Sequence, residues 1–169
     1  ASTRMGRPKA LLPIGGDTFV TRVCRTLLES GIDDLVVVAG AEHEAVAAAV
    51  AEAGLPARIV ENTRRQEGQL SSVLAGLAVA DRPGVHAVLV HLVDAPLVLP
   101  ATARAVLDAF QRTGAPIVRP DVRGRHGHPV LFARRVFDDL RRADPGGGAS
   151  AGVRAHAAEL CNVPVDDEG

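Results

Sequence analysis

The stretch Ala87-Val88-Leu89-Val90-His91-Leu92-Val93-Asp94-Ala95-Pro96-Leu97 decides the fold. A nearly unbroken apolar run ends in a lone carboxylate and a proline. A strand covered on both faces reads this way, with no alternation of polar residues. Residues 35–39 (Leu35-Val36-Val37-Val38-Ala39) repeat the pattern, and shorter β-branched or apolar runs occupy 57–60, 116–119, 129–132 and 161–165. Between most of them the apolar residues recur with the helical period: Phe19, Val20, Val23, Leu27 and Leu28; Val46 and Val50; Leu70, Val73, Leu74 and Leu77; Ala103, Val106, Leu107 and Phe110; Val136, Phe137 and Leu140. Gly31, Gly54 and Gly114 stand where helices stop, and Pro100 where one begins. Strand–helix alternation predicts an α/β fold, a three-layer sandwich around a mostly parallel sheet. No repeat or linker divides residues 1–169, so one domain is expected, with Asp144 to Gly148 as a loop inside it.

Composition narrows the function. The formal charge of −1 and pI near 6.7 leave no electrostatic footprint for nucleic acid or an anionic membrane surface. The run 85–100 is broken by His86, His91, Asp94 and Pro96 and is too short to span a bilayer. Cys24 and Cys161 lie far apart without CxxC spacing, which removes a disulfide framework or thiolate zinc site and favours a reducing, cytoplasmic setting. Lys9 is the only lysine among 19 basic residues, either by chance or because a site there needs a compact ammonium, and alone it carries no function.

Four places have side chains suited to chemistry. The opening loop groups Ser2, Arg4, Gly6, Arg7 and Lys9, a hydroxyl, a glycine and cations that suit a polyphosphate. A solvated basic tail has the same composition, so the loop alone does not decide. Asp94 stands at a strand's carboxyl end, where open α/β sheets bind ligands, and a carboxylate there can hold Mg²⁺. It is too far from Pro100 to cap the next helix. Asn62 and Gly68-Gln69-Leu70-Ser71-Ser72 place an amide, a glycine and hydroxyls at a helix start, to hold a base and ribose or simply to cap the helix. Arg125 and His128, within Gly124-Arg125-His126-Gly127-His128-Pro129, could meet a phosphate or belong to a surface hairpin. His43, His86, His91 and His156 fall singly and read as structural. No nucleophile elbow, Walker loop or dinucleotide glycine triplet is present.

Taken in order, these pieces resemble the MobA-like NTP transferases. Residues 2–12, Ser-Thr-Arg-Met-Gly-Arg-Pro-Lys-Ala-Leu-Leu, are similar to that family's loop Leu-Ala-Ala-Gly-x-Ser-x-Arg-Met-Gly-x-x-Lys. Residues 68–73 resemble its second nucleotide segment, and Asp94-Ala95-Pro96 its Asp-x-Pro motif. Gly127-His128-Pro129 resembles the branch that includes molybdenum cofactor cytidylyltransferases. The resemblance implies a fold of the nucleotide-diphospho-sugar transferase type. It implies Mg²⁺-dependent transfer of a nucleoside monophosphate from an NTP to a phosphorylated acceptor, with pyrophosphate released. Arg4 and Lys9 would hold the triphosphate with Ser2 and Gly6; Asp94 would hold the metal; Asn62, Gly68, Ser71 and Ser72 would line the nucleoside site; Arg125 and His128 would face the acceptor.

The implied acceptor is a molybdopterin, and CTP is favoured over GTP because Arg7-Pro8-Lys9 lacks the Asp before Lys of guanylyl relatives. A molybdoenzyme or maturation partner follows from that acceptor. The alternatives are a sugar- or polyol-phosphate nucleotidyltransferase and a non-catalytic nucleotide-binding accessory protein. The family's Leu-Ala-Ala-Gly strand and its later Asp-x-Asp-Thr-Pro segment fall outside residues 1–169, so both ends are expected to be truncated.

Overall fold

The computed structural model describes residues 8–143 and 156–167. After a 3-10 turn, Lys9–Leu11, a short hairpin pairs β1 (Pro13–Ile14) with β2 (Asp17–Thr18) across Gly15-Gly16, both at positive φ. The chain then alternates: α1 (Phe19–Glu29), β3 (Leu35–Ala39), α2 (His43–Glu52), β4 (Ala57–Glu61), α3 (Gln69–Ala80), β5 (Ala87–Val90), α4 (Pro100–Thr113), β6 (Ile117–Val122), β7 (Arg125–His126), β8 (Val130–Ala133), α5 (Phe137–Arg142) and β9 (Cys161–Pro164).

The helix boundaries have local causes. Thr18 and Thr21 form a reciprocal capping box that starts α1. Pro100 supplies the fixed φ of a first helical residue in α4, and Gly114 ends it in the left-handed conformation. Arg123 (φ 53°) and Gly124 (φ 83°) make the two-residue turn between β6 and β7, a turn that needs positive φ at both positions.

The α/β class and the central sheet are as the sequence reads, and the sheet is mixed. β3 pairs with β4 in parallel, and β6 with β9 in parallel. β8 runs antiparallel to both β5 and β6. The reason is reach: a parallel return needs a crossover of about a dozen residues or more. Between β6 and β8 the chain has room only for the β7 hairpin and a step through Gly127, His128 and a cis His128–Pro129 bond. Among the described residues, β3 bonds only to β4 and β5 only to β8.

Strand alternation sorts the core into layers. Val88 and Val90 of β5 pack with Leu74 and Leu77 of α3 and with Phe137 and Leu140 of α5, beside Ile117 and Phe132. Ala87 and Leu89 turn the other way, toward Val106, Leu107 and Phe110 of α4. The third cluster joins Val20 and Cys24 of α1 and Val46 and Val50 of α2 to Leu35, Val37 and Ala39 of β3. Helix α3 lies across the junction of the two strand groups. Its Gly76 faces Val38 so closely that an added Cβ would sit 3.1 Å from the valine methyl. Helices on both faces thus leave the carboxyl ends of β3, β4 and β5 as the open rim of the sandwich.

Candidate active site

Asp94 reaches that rim through a turn after β5, in which the Ala95 amide donates to the Leu92 carbonyl at 3.2 Å. The chain that enters through Pro8 and the 3-10 turn at Lys9 arrives at the same place. Lys9 Nζ donates to Asp94 Oδ2 at 3.3 Å, and both side chains are about half exposed (48% and 49%). A pair this exposed contributes only about 0.2–1 kcal/mol. Its two charges are therefore free to exchange each other for a ligand: the ammonium for a phosphate oxygen, the carboxylate for a cation. Ser2, Arg4, Gly6 and Arg7 lie outside the described residues.

The second group surrounds the start of α3. Asn62 Nδ2 donates to Ser71 Oγ at 2.8 Å and to Ser72 Oγ at 2.9 Å, and its Oδ1 accepts from the Arg64 amide at 2.9 Å. Ser71 Oγ donates in turn to the Gly68 carbonyl at 2.7 Å. The Asn62 amide reaches the Ala39 carbonyl at 2.7 Å, which ties the network to the end of β3. Gly68 sits at φ 92°, a conformation that any side chain would strain.

Asn62 and Ser71 are 3% and 5% exposed, and their polar groups are engaged with one another, with Ser72, with the Arg64 amide and with the Gly68 carbonyl. The capping alternative fails, because α3 has no side-chain N-cap. Ser72 is less buried.

On the other flank a cleft of about 290 Å³ is lined by Val98, Thr102, Val122, Arg125, His128 and Asp167, among others. His126 also lines it and pairs with Asp121 at 3.4 Å. Burial pushes the His128 imidazole below its ordinary pKa, while the Asp94 carboxylate pulls it up. His128 and Asp94 thus sense one another electrostatically. Leu97 and Leu99, on the connection from Asp94 to α4, are the large apolar side chains that stand exposed here.

Two residues near the site escaped sequence reasoning. Asp167 Oδ2 accepts from the Leu99 amide at 2.8 Å and from Thr102 Oγ1 at 2.5 Å, capping α4 from the far end of the chain. The signal was the missing cap: Leu99 precedes the helix without a side chain that could bond its free amides. His91 is the other. Both of its ring nitrogens are buried, with the Ala95 backbone as their hydrogen-bonding neighbour. Burial, with His128 second, pushes its pKa down to about 4, while a backbone hydrogen bond with Ala95 and the Asp94 and Asp167 carboxylates act upward. Nothing in the run 87–94 distinguishes this histidine from one satisfied in the core.

The residues present fit a hard divalent cation of the Mg²⁺ type. Asp94 offers an accessible carboxylate, and among the described residues no three His, Cys, Asp or Glu side chains converge as a soft-metal cage would need. Such a cation keeps water and substrate phosphates as its other ligands. Among the described residues no helix is long and apolar enough to cross a membrane.

Residues 1–160 match the model of the MobA-like NTP transferase domain. Nicotine blue oxidoreductase of Paenarthrobacter nicotinovorans is 38% identical over 144 residues, which cover 78% of this chain and 66% of that one. The 2-C-methyl-D-erythritol 4-phosphate cytidylyltransferase of Saccharopolyspora erythraea is 36% identical over 117 residues, 68% of this chain and 51% of that one. The chain therefore spans less than two thirds of the length of either curated relative. Among solved structures, Rv0371c from Mycobacterium tuberculosis H37Rv superimposes with a TM-score of 0.81 at 30% identity, over 98% of this chain and 82% of that one. The same protein in complex with manganese gives 0.77 at 28% identity, over 94% and 81%.

Proposed function

The chain belongs to the family of MobA-like NTP transferase domains, and from that premise we propose that it is a nucleotidyltransferase. It moves a nucleoside monophosphate from a nucleoside triphosphate to a phosphorylated acceptor. The observation that carries this reading is the 3.3 Å approach of Lys9 to Asp94 at the sheet's carboxyl rim. An ammonium and a carboxylate side by side can receive the two halves of a metal–triphosphate.

In the reaction, an oxygen of the acceptor phosphate attacks the α-phosphorus, the bond from the α-phosphorus to the bridging oxygen breaks, and pyrophosphate leaves with that electron pair. The nucleophile is already anionic, so no strong base is needed. The burden is to bring two anions into line and offset their repulsion. Lys9 neutralises the triphosphate from one side, with Ser2, Arg4 and Gly6 as the further triphosphate contacts that the family motif implies. Asp94 holds the divalent cation, taken as Mg²⁺, which when bound offsets charge on the phosphates. The manganese complex of Rv0371c supports a divalent cation in this fold. Gly68 and Ser72 meet the nucleoside on the loop that Asn62 and Ser71 hold.

His128 and Arg125 face the acceptor from the cleft. The apolar walls Val98, Pro120, Val122 and Val165 suit a flat heterocycle, which favours a pterin phosphate such as molybdopterin. A sugar or polyol phosphate is the second reading, favoured by the relative named a methylerythritol-phosphate cytidylyltransferase. That relative also supports CTP as the donor.

Pyrophosphate release, measured with each NTP against a pterin and a polyol phosphate, tests the proposal. Asp94→Ala should abolish turnover. Near-normal turnover in Asp94→Ala refutes the metal assignment, and no release with any pair favours a non-catalytic nucleotide-binding role.

A further inference from the structure

Gly40 is a glycine that the backbone does not ask for. Its φ lies outside the left-handed region that Gly15 and Gly68 occupy, so its conformation suits any residue. What excludes a side chain there is Arg65. Gly40 follows β3, and Arg65 opens a 3-10 turn after β4. A Cβ built on Gly40 would meet Arg65 Cδ at 2.8 Å. The arginine stem therefore lies on bare backbone at the carboxyl rim of the sheet, with its head toward solvent.

That head is unengaged. Arg64 leans on Glu67 at 3.7 Å, whereas no hydrogen bond or ion pair holds the Arg65 guanidinium among the described residues. Glu42 approaches the same bare spot: its Oε2 is 3.5 Å, and Arg65 Nε 3.7 Å, from where a Cβ on Gly40 would stand. The two opposite charges face one point without closing on each other. Arg65 is exposed and Glu42 half-buried, so a ligand has access to both. The Gly68 amide donates to the Arg65 carbonyl at 3.3 Å, and the Asn62 amide to the Ala39 carbonyl at 2.7 Å. Arg65 and Gly40 thus belong to the loop and strand end that carry Gly68 and Ser72, while Lys9 and Asp94 come from other elements.

We infer that Arg65 and Glu42 read the base of the nucleoside triphosphate, with Gly40 as the positioning residue that seats the arginine. A guanidinium only donates and a carboxylate only accepts. Together they fit a planar edge that carries both a carbonyl and an exocyclic amino group. Cytosine and guanine present that pair; uracil lacks the amino group and adenine the carbonyl. Bare backbone beside the two charges lets a flat ring come close. The inference rests on the nucleotidyltransferase reading above and adds to it the donors selected: CTP or GTP over UTP and ATP.

The probe is each of the four NTPs with Mg²⁺ and no acceptor, titrated calorimetrically into the intact chain. Wild type should bind CTP or GTP about tenfold more tightly than UTP and ATP, a modest margin for an arginine–base contact. Arg65→Ala should weaken the preferred NTP about tenfold and leave ATP unchanged. Arg65→Lys should not restore the margin, because an ammonium lacks the planar fork. Glu42→Ala should weaken the preferred NTP and leave UTP unchanged. Gly40→Ala displaces a flexible side chain, so it should keep the melting temperature, match the loss in Arg65→Ala, and add nothing to it in the double variant. Wild-type discrimination in Arg65→Ala overturns the inference. So does an equal loss for all four NTPs that Arg65→Lys restores, the mark of a phosphate contact, or additive losses in the double variant. A wild type that binds all four NTPs alike and still releases pyrophosphate overturns the inference and upholds the nucleotidyltransferase reading. A wild type that binds none overturns both.

Discussion

Acid should weaken this fold through buried imidazoles, His91 first among them, before its carboxylates titrate. In the unfolded chain His91 has an ordinary pKa of about 6.5; in the fold, burial and the neighbouring His128 push it to about 4. Between those values the unfolded chain binds a proton that the folded chain refuses, so stability is held above pH 6.5 and lost as pH falls toward 4. Moving from pH 7 to 4.5 therefore costs about 2 kcal/mol at this residue alone. His128, depressed by its own burial, pushes in the same direction. Asp34, Asp81 and Asp139 are held below the usual carboxylate range, Asp81 and Asp139 chiefly by hydrogen bonds from Arg141 and Arg142, and Asp34 by Arg58 and Arg82 against its own desolvation. Their contribution is present above their unfolded pKa and drains mostly below pH 4, outside this window. Urea unfolding of wild type and His91→Phe at pH 7 and pH 4.5 measures the difference. The variant should lose about 2 kcal/mol less than wild type between the two conditions. Equal losses would show that His91 is not held neutral by burial.

Two further outcomes follow from the hydrogen bonds around the site. Asn62→Ala removes bonds to Ser71, Ser72 and the Arg64 amide and should cost about 2–3 kcal/mol in chemical denaturation, with KM for the NTP rising more than kcat falls because the loop carrying Gly68 and Ser72 loosens. Asp167→Ala strips the cap from α4 and should lower stability by about 1 kcal/mol; a larger loss in kcat than in stability would give Asp167 a part in the chemistry.

The fold was legible because its strands are continuous and apolar and its helices periodic. Residues 35–39 and 87–90 form strands where the runs lie, and Pro100 and Gly114 mark the ends of α4. The short hairpin at Pro13 to Thr18 escaped because two-residue strands carry no periodicity, and only Gly15-Gly16 betrays the turn. The antiparallel return of β8 is a matter of connection length, which a strand-by-strand reading does not weigh. At the site, Asp94 stood out because a strand tip and a proline isolate it. The cluster of Asn62 with Ser71 and Ser72 was legible as a group, but not the burial of Asn62 and Ser71, since burial is a tertiary property and an amide beside hydroxyls looks the same bound to protein or to ligand. The burial of His91 was hidden in the same way, because it depends on residues far off in sequence.

The approach of Lys9 to Asp94 also fixes when the site can exist. These residues are 85 positions apart, so their meeting closes one of the chain's long loops and waits on the intervening strand–helix units to settle. Helical content should return early after dilution from denaturant, and nucleotide capture should trail it. A partly refolded population would look native by circular dichroism while still being unable to hold a triphosphate.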